Sequence, residues 1–280
     1  MKTRDILQKK HELWLSILFG AFSIQNEKLF DEIYDFAMIE YRHLSWIGSS
    51  LAEIGEEFDF DKDNIDFQAD NNFELFEKLI KQIEQMNSFY PQNNDKMYQR
   101  FISDEIYFIQ KLREYLSDES NNEEIKAFNK SRVLEGYELN QKQSDSLILF
   151  LFEEAYKEYE LILVYTYSNL FTDSKLLSSV FVDLIYESHF HLKSFARMMS
   201  KMGLLAVPRT IVQRVYQFDD LEQFLIDGIK EEEMAKEGCL ALAKAVDHPS
   251  LSNFFNFINF QENYHIALME KALAHIRSKK

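Results

Sequence analysis

Apolar and polar residues alternate along most of the chain with the period of an amphipathic α-helix. Apolar residues recur at steps of three and four, which places them on one face of a helix. The pattern predicts eight long helices, at residues 5–23, 27–54, 72–89, 95–117, 145–171, 174–202, 219–247 and 250–278. A polar stretch at 117–145 separates the first four from the last four and also fits a short helix at 123–138. The chain is therefore predicted to be all-α.

The two groups of four helices resemble each other in sequence. At an offset of 148 residues, HELWLS at 11–16 aligns with YELILV at 159–164, and HLSWIGSSLAEIG at 43–55 aligns with HLKSFARMMSKMG at 191–203. The fourth helices align at an offset of 157, with EIYFIQKL at 105–112 over ENYHIALM at 262–269. An internal duplication follows, with an N-terminal module at 1–118, a connector at 119–144 and a C-terminal module at 145–280.

In both modules a long connection joins the second helix to the third. It runs from Gly55 to Asn72 in the first module and from Gly203 to Phe218 in the second. Extended chain advances by about 3.3 Å per residue, so a connection of this length can run along a whole helix. Each module is therefore predicted to be a four-helix bundle with one crossover connection.

Composition supports the helical prediction and limits the partners. Among 280 residues there are only 7 Gly and 3 Pro, and no glycine-rich phosphate-binding motif occurs. The formal net charge of -16 disfavours nucleic acids and anionic membrane surfaces as partners. The single cysteine, the charged first segment and the lack of a run of ~18 apolar residues predict a cytoplasmic protein with no signal peptide or membrane span.

Carboxylates and histidines fall on the predicted apolar faces, where an unpaired charge is unfavourable. Glu40 with His43, and Glu262 with His265, form ExxH motifs that place two metal-binding groups one helical turn apart. No matching set of inward-facing Lys or Arg is evident in the sequence. Bound metal ions would supply the missing positive charge.

With a further glutamate on each of two other helices, this pattern resembles that of the ferritin-like, rubrerythrin-like carboxylate-bridged dimetal proteins. The resemblance implies two tandem four-helix bundles of ferritin-like topology, each able to hold two iron or manganese ions. The implied ligands are Glu160, Glu187, His191, Glu232, Glu262 and His265 in the C-terminal module, and Glu12, Glu40, His43, Glu77 and Glu105 in the N-terminal module.

The C-terminal module departs from the family pattern on its second helix. Ser188 stands three residues before His191, where the family has a glutamate. Glu187 stands four residues before His191 and flanks the same helix face. We therefore expect Glu187 to act as the bridging carboxylate of this helix.

The N-terminal module departs from the pattern on two helices. Phe108 replaces the histidine expected after Glu105. On the third helix, Glu84 aligns with Glu232 of the other module, but Glu77 lies at a more suitable height along the bundle. With only one histidine, this module is expected to bind metal more weakly than the C-terminal module.

The resemblance implies a non-haem dimetal protein that oxidises Fe(II), reduces oxygen or peroxide, or oxygenates an organic substrate. Electrons would come from substrate iron or from a separate reductase. Two alternatives stay open: a helical scaffold or binding module with degenerate metal sites, and a haem-oxygenase-like helical dimetal oxidase. Because one chain already contains two bundles, a monomer or a small homo-oligomer is expected.

Overall fold

The computed structural model describes residues 2–63, 65–91, 95–218 and 220–279, and over these residues the fold is helical without strands. The helices are α1 (Thr3–Ser23), α2 (Glu27–Glu53), α3 (Asn72–Phe89), α4 (Lys96–Leu116), α5 (Gln141–Leu170), α6 (Lys175–Lys201), α7 (Leu221–Val246) and α8 (Pro249–Arg277). The prediction of an all-α fold is confirmed. The predicted start of the seventh helix at 219 lies outside the described residues.

Polar side chains fix where most helices begin. Six helices follow a residue whose side chain accepts a hydrogen bond from a backbone N–H of the first turn: Asn26, Asn71, Asp95, Asn140, Ser174 and Asp220. Gly55 and Gly203 follow α2 and α6 with φ of 69° and 71°, the left-handed conformation that ends many helices.

The predicted short helix at 123–138 is wrong. Lys130, Arg132 and Gly136 in this segment have φ values of 58°, 59° and 84°, which interrupt an α-helix. The backbone N–H of Lys130 donates to the carbonyl oxygen of Gly203, 2.9 Å away. Tertiary hydrogen bonds therefore replace the local helical ones here.

The chain divides into two compact units. Unit 1 comprises Met1–Lys130 and Gly203–Ile211, and unit 2 comprises Ser131–Met202 and Val212–Lys280. The segment predicted as a connector, 119–144, is divided between them. No helix among the described residues is both long and apolar enough to cross a membrane.

The four long helices of each unit pack in the same order. In unit 1, α1 and α4 each pack against both α2 and α3; in unit 2, α5 and α8 each pack against both α6 and α7. The two helices joined by the long connection therefore stand at opposite corners of each group of four. The core lies between the helices and includes Trp14, Phe76 and Phe101 in unit 1, and Tyr159 and Phe255 in unit 2.

Candidate metal centre in unit 2

Four carboxylates and two histidines meet in the interior of unit 2. They come from all four long helices: Glu158 of α5, Glu187 and His191 of α6, Glu232 of α7, and Glu262 and His265 of α8. Their potential ligand atoms form three groups within which all atoms lie less than 4.8 Å apart: Glu158–His191–Glu262, Glu232–Glu262–His265 and Glu187–His191–His265. The groups share members, so together they form one continuous cluster.

Helical periodicity directs these side chains inward. Glu158 continues a stripe of buried α5 residues at three- and four-residue steps: Leu147, Leu151, Ala155 and Ile162. On α8, Glu262 and His265 continue a stripe of Leu251, Phe255, Ile258 and Met269. The apolar faces that build the core therefore carry the ligand candidates with them.

His191 is fully buried and connects three helices. Its Nδ1 lies 2.9 Å from Glu158 Oε1 and 3.9 Å from Glu262 Oε1. Its Nε2 lies 3.2 Å from Oε1 of Gln261, whose Nε2 donates to Glu187 Oε2 at 3.1 Å. Gln261 thus holds both α6 candidates, His191 and Glu187, in position.

His265 lies among carboxylates from three helices. Its Nδ1 is 2.9 Å from Glu262 Oε2 and 3.5 Å from Glu232 Oε2, and its Nε2 is 3.9 Å from Glu187 Oε2. Glu187 is the most solvent-exposed of these, with 27 % of its side chain accessible. The cluster therefore has one partly open edge, at α6.

The carboxylates stabilise the charged forms of the two imidazoles. Burial lowers the pKa of His191, but the neighbouring Glu158 and Glu262 outweigh it and raise that pKa to about 9. Burial also lowers the pKa of His265, but the neighbouring carboxylates of Glu187, Glu232 and Glu262 raise it to about 12. Without bound metal, both histidines are therefore cationic at neutral pH.

The pKa values of two neighbouring carboxylates of the cluster are shifted in opposite directions. Burial, followed by the proximity of Glu232, raises the pKa of Glu262 to about 8. Burial also acts to raise the pKa of Glu232, but the neighbouring imidazole of His265 lowers it to about 2. At neutral pH two imidazolium groups thus face the ionised carboxylates of Glu187 and Glu232 and the protonated carboxyl of Glu262.

Polar atoms at the edge of the cluster lack partners within the described part of the chain. Glu158 Oε2 and the hydroxyl of Tyr165 are both buried and make no hydrogen bond. Such an atom costs roughly 1–3 kcal/mol unless a ligand or water satisfies it. Tyr165 also borders a cavity of about 60 Å³, together with Glu232, Gly228 and Met269.

The equivalent region of unit 1 contains a buried lysine. The ammonium group of Lys10 contacts the carboxylates of Glu40 and Glu105 and lies 2.8 Å from the hydroxyl oxygen of Tyr90. Burial lowers the pKa of Lys10, but the two carboxylates outweigh this effect and raise it. The expectation that inward-facing lysines are missing is therefore wrong for unit 1.

His43 completes the unit 1 cluster, because its ligand atom lies within 4.8 Å of those of Glu40 and Glu105. Its Nε2 lies 3.1 Å from Asp104 Oδ2 and its Nδ1 3.5 Å from Glu40 Oε2. Three predicted ligands of this unit are thus brought together. Lys10 is in contact with two of them.

The structure does not bring the predicted ligands of α1 and α5 to either cluster. Glu12 accepts hydrogen bonds from Lys9 Nζ and from the backbone N–H of Asp63, each at 2.8 Å, and belongs to no ligand group. Glu160 is half-buried and is also outside the groups. Glu158 takes its place, because residues two apart point about 200° away from each other on a helix.

The predicted ligands of α3 also lie elsewhere. Glu77 and Glu84 are both exposed, and Glu84 pairs with Arg113 at 2.8 Å. The buried stripe of this helix is formed by Leu75, Phe76, Leu79, Ile80, Ile83 and Met86, which leaves both glutamates on the outer side. Helix α3 therefore contributes no carboxylate to the unit 1 cluster.

Lys10 and Glu158 are not predicted from the sequence, although the alignment of the two modules places them at equivalent positions. At the offset of 148 that aligns α1 with α5, Lys10 corresponds to Glu158. Both lie on buried stripes at three- and four-residue steps, Lys10 after Ile6 and Leu7. A polar residue at the same interior position of both modules was the available signal.

No protein-family model matches the chain, and comparisons with curated proteins and with solved structures give no match either. The function has to be inferred from the chemistry of the two clusters.

Proposed function

We propose that unit 2 binds a pair of iron or manganese ions and acts as a non-haem dimetal centre. The observation that carries the proposal is the overlap of two ligand groups, Glu158–His191–Glu262 and Glu232–Glu262–His265. Each group offers two carboxylates and one imidazole, a donor set that suits iron or manganese better than metals that prefer thiolates. Glu262 belongs to both groups, so its carboxylate would bridge the two ions.

Glu187 is the natural second bridging ligand. It groups with both histidines, and each histidine belongs to a different one of the two ion sites. Gln261 bonds to both Glu187 and His191, which orients them as outer-shell partners commonly orient metal ligands. This arrangement supports the expectation that Glu187 replaces the glutamate missing at Ser188.

Charge supports the same proposal. Within the described residues, the ion pairs to Glu158, Glu187, Glu232 and Glu262 all come from His191 and His265. Clustered buried carboxylates are unfavourable unless cations or protons compensate them. Two divalent ions would compensate all four, and the imidazoles would then be free to bind as neutral ligands.

The cavity beside Glu232 favours small oxidants. A bound iron or manganese pair supplies redox chemistry toward oxygen species. The cavity of about 60 Å³ has room for about two water-sized molecules. The unpaired hydroxyl of Tyr165 can donate a hydrogen bond there. Fe(II) oxidation or reduction of oxygen or peroxide is thus favoured over oxygenation of a larger organic substrate, with electrons from Fe(II) or a separate reductase.

The order of the helices supports a ferritin-like topology for each unit. Helices joined by the long connection stand diagonally, as a single crossover connection in a four-helix bundle requires. We include in the proposal that the chain is a tandem pair of such bundles.

Unit 1 favours a different role, that of a metal-free helical module. The ammonium group of Lys10 compensates the carboxylates of Glu40 and Glu105, as metal ions would compensate the carboxylates of unit 2. The two units would then have diverged after duplication, one with a reactive centre and one with an internal ion pair.

Metal loading followed by reaction tests the proposal. The full chain is incubated anaerobically with Fe(II) or Mn(II), freed of unbound metal by gel filtration and subjected to elemental analysis. The iron form is then mixed with oxygen or peroxide while absorbance and oxygen consumption are recorded. We expect retained metal and rapid oxidation, both lost in Glu262→Gln. If the wild-type chain retains no more metal than Glu262→Gln does, the proposal is refuted.

A further inference from the structure

Five large aromatic side chains are exposed on the outer side of α6 and α8. They are Tyr186, Phe190, Phe257, Phe260 and Tyr264, with exposed fractions of 66, 41, 47, 74 and 48 %. Single exposed aromatics are common, but a contiguous group is rare on a monomer and marks an interaction surface. We refer to this group as the aromatic face.

The aromatic face is continuous across the two helices. The rings of Phe190 on α6 and Phe257 on α8 meet edge to face with centroids 6.1 Å apart. Further along, the hydroxyl of Tyr264 on α8 donates to Asp183 Oδ2 on α6 at 3.3 Å. The packing of α6 against α8 therefore presents the five side chains as one surface.

The part of this surface that α8 contributes is free of charged residues. The exposed residues of α8 between 253 and 267 are Asn253, Asn256, Phe257, Phe260, Asn263, Tyr264 and Ala267, none of which is charged. The whole chain is 28 % charged and has a formal net charge of -16. Aromatic enrichment with loss of charge is the composition found at the centre of protein–protein interfaces.

The duplication shows that the helical fold does not require aromatic residues here. At the offsets that align the two modules, Phe190 corresponds to Arg42 and Phe257 to Arg100. Both arginines are exposed, with 46 % and 56 % of their side chains accessible. Unit 1 thus carries cations at positions where unit 2 carries phenyl rings.

We propose that the aromatic face binds the same face of a second copy of this chain and forms a twofold symmetric dimer. A twofold interface must be self-complementary, since each patch meets itself. Aromatic rings satisfy this requirement, and so do asparagines, because each amide both donates and accepts hydrogen bonds. The uncharged α8 part of the face also lets two strongly acidic chains approach without placing like charges opposite each other there.

The size of the face suits a dimer. An aromatic side chain offers about 200 Å² of surface, so five that are half exposed contribute on the order of 500 Å². The surrounding asparagines bring the total toward the ~800 Å² per partner of a standard interface. Dissociation constants for interfaces of this size range from micromolar to picomolar.

Sedimentation velocity of the full chain over a range of concentrations tests the proposal. The wild type is expected to sediment as a species of twice the 33.4 kDa chain mass. The variant Phe190→Arg/Phe257→Arg introduces the residues that unit 1 carries at these positions and is expected to be monomeric. Because both phenylalanines are partly exposed, its helix content by circular dichroism should equal that of the wild type.

Tyr107→Arg is the matched control. Tyr107 is the unit 1 counterpart of Tyr264 and is 53 % exposed, so this variant changes an exposed aromatic outside the face. It should remain dimeric. The proposal is overturned if the wild type is monomeric at concentrations on the order of 100 μM. A dimer that persists in Phe190→Arg/Phe257→Arg, or is lost in Tyr107→Arg, also overturns it.

Discussion

Lys10 and Glu158 occupy equivalent positions in the first helices of the two units, yet they carry opposite charges and have opposite partners. Lys10 contacts the carboxylate of Glu105, whereas Glu158 lies 2.9 Å from the imidazole of His191. One unit therefore encloses its own cation, while the other adds another carboxylate. This difference, together with the overlapping ligand groups of unit 2, is the basis for proposing metal binding in unit 2 alone.

Removal of the enclosed cation should destabilise unit 1. Lys10→Met leaves Glu40 and Glu105 buried without an ammonium partner, and breaking a buried ion pair from one side costs about 3–5 kcal/mol. Urea unfolding of the full chain should show this loss.

Lys9→Met is the control, because Lys9 makes a partly exposed pair with Glu12. The control should lower the free energy of unfolding by about 1 kcal/mol or less. Equal effects of the two substitutions would show that Lys10 does not neutralise the buried carboxylates.

The assignment of Glu158 in place of Glu160 predicts a difference between two neighbouring substitutions. Glu158→Gln removes a carboxylate metal ligand beside His191 and should weaken Mn(II) binding at least tenfold. Glu160→Gln changes a half-buried residue outside the ligand groups and should leave affinity close to that of the wild type. Calorimetric titration of both variants measures the difference, and a reversed order would restore Glu160 as the ligand.

Glu187 is predicted to determine the binding of the second ion. Glu187→Ala should reduce the metal content per chain by about half, whereas Ser188→Ala should change little because a hydroxyl is a poor ligand for iron or manganese. Elemental analysis after loading provides the comparison. A wild type with one ion per chain, raised to two only by Ser188→Glu, would instead mean that the site lost a ligand at Ser188.

Most helix boundaries could be predicted from the sequence because each helix has clear apolar periodicity and most have a polar capping residue. Which carboxylates and histidines meet in the two clusters could be predicted on α2, α4, α6, α7 and α8, where charged residues interrupt an otherwise apolar stripe, as Glu40 and Glu262 do. The prediction failed on α1 and α5. Residues 13–24 are all buried, so the C-terminal half of α1 has no polar face from which to infer which side chains point inward.

The segment 123–138 and helix α3 illustrate two other limits of sequence reasoning. The positive φ angles of Lys130 and Arg132 accompany hydrogen bonds to residues distant in sequence, which local propensity does not encode. On α3, height along the bundle favours Glu77 as the ligand. Its direction around the helix axis places it in solvent.

The protonation of the cluster predicts a pH dependence for the metal-free protein. The pKa of His191 is raised to about 9 from an ordinary value near 6.5, so its stabilisation is complete below pH 6.5 and is lost as pH rises through 9. The pKa of Glu262 is raised to about 8, so the stabilisation that its protonated form contributes is also lost as the pH rises toward 8. The free energy of unfolding should therefore decrease between pH 6.5 and 9. The decrease is about 1.4 kcal/mol per pH unit for each proton that the folded protein binds and the unfolded chain does not.

Thermal unfolding of metal-free protein at several pH values measures this slope. His191→Gln should make the slope shallower because one titrating group is removed. Metal affinity should change in the opposite direction and rise with pH, because ions bind neutral imidazole and ionised carboxylate. A metal-free protein that becomes more stable from pH 6.5 to 9 would contradict the assigned protonation states.

Metal stoichiometry in variants of the two units tests the central claim most directly. The full chain and the variants Glu262→Gln and Glu105→Gln, which change the equivalent α8 and α4 glutamates, are titrated anaerobically with Fe(II), and bound metal is counted by elemental analysis. We predict about two ions per wild-type chain, about two in Glu105→Gln and almost none in Glu262→Gln. Loss of metal in Glu105→Gln, or retention of both ions in Glu262→Gln, would contradict the assignment of the metal centre to unit 2.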